Sequence, residues 1–79
     1  MLKLSKKEVS ILRFIRNSRH KTTIDEITKG LNFLKSEVEV LVEGMVQQKL
    51  LNVALGTIPA ENAYYTNPEK REQIYELIG

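Results

Sequence analysis

The 79 residues contain no cysteine and no tryptophan, and only two prolines and four glycines interrupt them. Without cysteine there is neither a disulfide framework nor a thiolate metal site, so packing alone must hold the core. With so little proline and glycine, no linker, internal repeat or low-complexity segment can be drawn, and the chain reads as one domain over 1–79. No uninterrupted apolar run exceeds three residues, as at Val40-Leu41-Val42, which is far short of a signal segment or a membrane span. A soluble, cytoplasmic protein with no membrane association is the expectation. His20 is the sole histidine, and beyond the neighbours Asp25 and Glu26 no carboxylates cluster. The sequence therefore offers no metal-ligand set, no nucleophile with its base and no cofactor motif, and catalysis is not expected.

Hydrophobic residues make up 42% and charged residues 28%, a balance that folds. A chain of this length buries only about 60% of its unfolded surface, so one modest core is all it can build. The net charge of +2 conceals an uneven distribution. Residues 1–36 carry nine Lys/Arg against three acids, and residues 37–79 carry three against seven glutamates, so the halves stand at +6 and −4. Placement of charge matters more than its sum when a surface is to attract a polyanion.

"LSKKEVSILRFIRN" predicts an amphipathic helix over about 6–17, opened by a Ser5–Glu8 capping box with Leu4 stapled onto Val9. "SRHKT" follows as a polar, basic connection. Thr23 and Glu26 repeat the capping-box spacing before a second helix whose buried stripe is Ile24, Ile27 and Leu31, and Asn32 suits the left-handed residue that ends it. A third helix is expected from about Lys35 to Lys49, with Leu34, Val38, Leu41, Val42 and Met45 inside one core-facing sector of about 100°. "LLNVALG" and "AYYT" read as two strands of a hairpin, with Gly56 and Pro59 in its tip. Asn67 followed by Pro68 starts a last helix, with Ile74, Leu77 and Ile78 as its buried edge.

The order helix, helix, helix, strand, strand, helix resembles the winged helix-turn-helix of small MarR- and ArsR-type prokaryotic or archaeal transcriptional regulators. In "EITKGLNFLKSEVEVLVEGMVQQKLL", Ile27, Leu31, Phe33, Val38, Val42, Met45, Leu50 and Leu51 fall at that family's apolar positions without an insertion, and "AYYTNPEKREQIYELI" is similar to its ending. The resemblance implies an α+β, mainly α fold of three helices, a two-stranded wing and a C-terminal helix. It also implies double-stranded DNA as partner, transcriptional regulation as role, and a homodimer built by the first and last helices.

Carried over residue by residue, the DNA-contact positions are mixed in character. Arg19, Lys21, Thr22 and Thr23 at the start of the second helix match a phosphate-binding end, where free N–H groups and cations meet an anion. Lys35, Ser36, Glu39 and Val40 fall on the face of the third helix that would enter a groove. Of these only Lys35 and Ser36 are conventional, because base reading rests mainly on Arg, Lys, Asn and Gln, and Glu accepts only from cytosine N4. The tip "GTIPAEN" has no Arg or Lys for a phosphate. Ser36 and Glu39 have capping-box spacing, which would make Glu39 a helix-start residue. Glu43, one turn after Glu39, and Val40, turned away from the core, have no such account. Two readings of the third helix stay open: weakly selective, backbone-driven duplex binding, or a protein contact made by an acidic helix around an exposed Val40.

Overall fold

The computed structural model describes residues 4–78. Helix α1 spans Lys6–Asn17, strand β1 Thr22–Thr23, helix α2 Ile24–Leu31 and helix α3 Lys35–Gln47. Strands β2 (Leu51–Ala54) and β3 (Ala63–Thr66) flank a wing with one 3-10 turn, Pro59–Glu61. A second such turn, Pro68–Lys70, leads into helix α4, Arg71–Ile78.

Both expected capping boxes form: Ser5 Oγ accepts from the Glu8 amide, and Thr23 Oγ1 from that of Glu26. Asn32 adopts φ 57°, and the Phe33 amide donates back to the Thr28 carbonyl, so α2 ends where a short polar side chain tolerates the left-handed region. Ile11, Leu12 and Ile15 from α1, Ile27 from α2, and Val38, Val42 and Met45 from α3 meet Leu50, Leu51, Ile74 and Ile78 in one core.

Four expectations change on contact with the structure. The sheet has three strands, ordered β1-β3-β2, because Thr22 and Thr23 pair antiparallel with Tyr64 and Ala63. A two-residue strand carries no hydrophobic period, so "SRHKT" gave no sign of it. Leu34 lies 72% exposed rather than in the core stripe, since it is the extended N-cap of α3 and stands outside the helical phase. Its neighbour Phe33 packs on the core instead.

The Ser36–Glu39 capping box does not form. No side chain caps α3, and with Leu34 as N-cap only Glu37 lies in the first turn. Finally, α3 stops at Gln47, two residues early. Lys49 takes φ 68°, its amide donates to the Val46 carbonyl, and the Leu50 amide donates to that of Met45. This pair of bonds is a Schellman ending, with the buried Leu50 and Met45 as its apolar contact, built on Lys where glycine is usual.

Two tethers fix the last helix. Arg13 Nε and Nη2 both donate to the Ile78 carbonyl, at 2.9 and 2.7 Å, placing a cation at the negative end of α4. The buried Asn67 donates through Nδ2 to the Lys49 carbonyl at 2.8 Å and accepts the Glu69 amide at 3.0 Å, joining the end of α3 to the start of the C-terminal segment.

Candidate nucleic-acid interface

The start of α2, the expected phosphate site, already holds an anion of its own. Glu26 Oε1 accepts from the Thr23 amide at 3.0 Å and from its hydroxyl at 3.3 Å, while Oε2 lies 2.9 Å from His20 Nε2. The Thr23 amide, then the His20 ring, hold the Glu26 carboxyl below its ordinary pKa. Thr22 is 1% exposed, paired with β3, and its hydroxyl points to the His20 carbonyl at 3.3 Å. At that burial the Thr22 side chain offers no open surface to a phosphate. The Thr23 hydroxyl is committed to its capping box in the same way.

Arg19 and Lys21 are exposed cations, but they lie on the side of the sheet turned away from α3. Lys21 Nζ sits 5.2 Å above the Tyr65 ring, and both residues line a shallow depression with Arg16, Arg19 and His20. Tyr64, the next residue, points to the other side because side chains alternate along a strand. There it meets Ile24, Glu39 and Glu43. Burial and then the charges of Glu43 and Glu39 push the Tyr64 phenol pKa up. One strand thus separates a basic face from an acidic one.

The start of α3 is the remaining anion-binding candidate. Lys35 and Ser36 occupy its first two positions and are exposed, and no side chain caps the helix. Lys35 Nζ is 3.4 Å from Asp25, a loose surface contact that a phosphate can replace. Glu37, the acid of that first turn, is matched by Lys7 at 2.7 Å, and the same ammonium lies 5.6 Å from the Phe33 ring. The charge balance at this end is therefore more favourable to an anion than the bare sequence "LKSEVEV" suggests.

Further along α3, Val40 is 69% exposed, and Glu39 and Glu43 are solvent-facing. The wing adds Leu55 and Ile58, 80% and 53% exposed, and Glu61, with no Lys or Arg between Leu55 and Asn62. Val40 was legible as a solvent-facing residue from its angle on the helix. Leu55 was not, because it read as a strand residue until the fold placed it past the end of β2. Among the described residues no group of three His, Asp or Glu is positioned to hold a metal ion, and no helix is long and apolar enough to cross a membrane.

No protein-family model and no curated protein sequence matches the chain. Solved structures do. MarR of Staphylococcus aureus in complex with salicylate and kanamycin superposes with a TM-score of 0.81 at 20% identity, over 95% of this chain and 49% of that one. Two structures of the adhesin competence repressor AdcR from Streptococcus pyogenes follow, with TM-scores of 0.75 and 0.71. They are 21% and 24% identical and cover 94% of this chain, against 53% and 54% of theirs. The chain has the winged helix-turn-helix fold of these MarR-type proteins, and spans about half their length.

Proposed function

We propose that the chain binds double-stranded DNA as a winged-helix transcriptional regulator, taking its affinity from the phosphate backbone. What carries this reading is the first turn of α3: an uncapped helix start with Lys35 and Ser36 exposed, set by α2 and the turn at Asn32 in the arrangement shared with MarR and AdcR. Phosphate oxygens there meet backbone N–H groups, the Ser36 hydroxyl and the Lys35 ammonium. Arg19 and Lys21 add attraction from the flank rather than through the α2 cap. Glu39 and Val40 follow on the groove-facing side, where they supply little direct readout, so selectivity between sequences is weak.

In this reading the protein works inside the cell and needs neither cofactor nor catalysis. Pairing of two copies through α1 and α4, where Tyr75 is 68% exposed, would present two α3 helices to successive major grooves about 34 Å apart.

Electrophoretic shift of a mixed-sequence duplex tests the proposal. Micromolar protein should retard the duplex at about 50 mM salt and lose at least tenfold in affinity by about 200 mM. Lys35→Glu should abolish the shift, and Arg19→Glu with Lys21→Glu should weaken it and flatten the salt dependence. Absence of any shift at the lower salt refutes duplex binding.

A further inference from the structure

The face of α3 beside the wing carries features that work against duplex binding. Glu39, Glu43 and Val46 of α3 line one groove together with Ile24, Val53, Leu55 and Tyr64. Its volume is about 320 Å³, and none of the residues lining it is a Lys or Arg. Among the described residues neither Glu39 nor Glu43 has an ion-pair partner, although cations outnumber acids in the whole chain. Standing one helical turn apart, these carboxylates repel each other and weaken the helix. Both would also repel a phosphate backbone.

We propose that this groove docks an extended segment of a partner protein in which Lys or Arg alternates with apolar residues. The cations meet Glu39 and Glu43, and the apolar side chains cover Val53, Leu55 and the Tyr64 ring. Charge complementarity selects the sign of the partner: unpaired carboxylates beside exposed apolar surface favour a basic, apolar chain over nucleic acid. Shape selects its conformation. Among the described residues β2, the edge strand beside the groove, has no neighbour in the sheet on its outer side, so an extended segment can lie along it. The partner site and the DNA-binding end of α3 are adjacent, so an occupied groove excludes a duplex from the same helix.

The test uses an octapeptide of alternating Arg and Val, titrated into isotope-labelled protein and followed by amide and methyl chemical shifts. Shifts should concentrate at Glu39, Glu43, Val53, Leu55 and Tyr64. Glu39→Lys with Glu43→Lys should weaken binding at least tenfold, and an alternating Arg–Ser peptide should bind at least fivefold more weakly than the Arg–Val one. Leu55→Ser, at a solvent-exposed position, should reproduce the loss seen with the Arg–Ser peptide. Arg19→Glu with Lys21→Glu should leave peptide binding unchanged, and the Leu55→Ser protein should still shift duplex DNA, which separates this proposal from the DNA reading. No shift at millimolar peptide, shifts centred elsewhere, or undiminished binding by the double-lysine variant overturns it. So does concentration-dependent shifting of the groove without peptide, which makes a second copy of the chain its occupant.

Discussion

Asn67 does more than start the last helical segment. Its side chain spans from the Lys49 carbonyl to the Glu69 amide, and its own amide donates to the Leu50 carbonyl at 3.0 Å. Among the described residues Lys49 is one of two non-glycine residues in the left-handed region, so this bridge braces a backbone that would otherwise relax. Asn67→Ala removes two side-chain hydrogen bonds at a buried site and should cost about 1–3 kcal/mol in chemical denaturation, with the fold retained. Glu26 makes a pH-dependent contribution. Because folding lowers its pKa, the stabilisation is fully present above the unfolded carboxylate value of 4.5 and is lost as pH falls through the lower, folded value. Wild type should therefore melt above Glu26→Gln near neutrality, and the difference should shrink as pH falls below 4.5.

Two helical glycines respond to substitution in opposite ways. A Cβ at Gly44 of α3 meets nothing within 4 Å, so Gly44→Ala should raise stability by about 0.5–1 kcal/mol through helix propensity alone. A Cβ at Gly30 of α2 runs into the ring of Phe14, so there the propensity gain is opposed by displacement of the α1–α2 contact. Gly30→Ala should lower stability by about 1 kcal/mol, and paired urea melts check both signs. At this scale the sequence was largely legible. Capping boxes at Ser5 and Thr23, the Asn32 turn and the Asn67-Pro68 start are local signals read over three or four residues, and all appear in the fold. What escaped depends on distant partners or on helix phase: β1 exists only because β3 lies beside it, Leu34 lost its place in the core because the helix begins after it, and Lys49 ends α3 without a glycine to announce it.

Across the whole molecule, part of the sequence's charge division becomes a division between the two sides of β3. Lys21 and Tyr65 look one way, Glu39, Glu43 and Tyr64 the other. The candidate DNA residues accordingly do not gather in one place. Lys35, Ser36, Glu39 and Val40 share α3, Arg19 and Lys21 sit behind the sheet, and Thr22 is inside. No one-dimensional pattern could show this, because it is decided by which face of β3 each neighbour packs against. If Glu39 and Glu43 repel a bound duplex, Glu39→Gln with Glu43→Gln should tighten duplex binding about tenfold, or about 1.4 kcal/mol, in a titration at low salt.

The alternation of Tyr64 and Tyr65 has a practical side. With no tryptophan in the chain, three tyrosines supply its ultraviolet emission, and two adjacent ones look onto opposite surfaces. With the exposed Tyr75 replaced by Phe as a common background, Tyr65→Phe leaves a fluorophore watching the groove, and Tyr64→Phe leaves one watching the basic depression. Two such variants thus make a two-channel optical sensor that reports, without any attached dye, which of the protein's surfaces a ligand has covered.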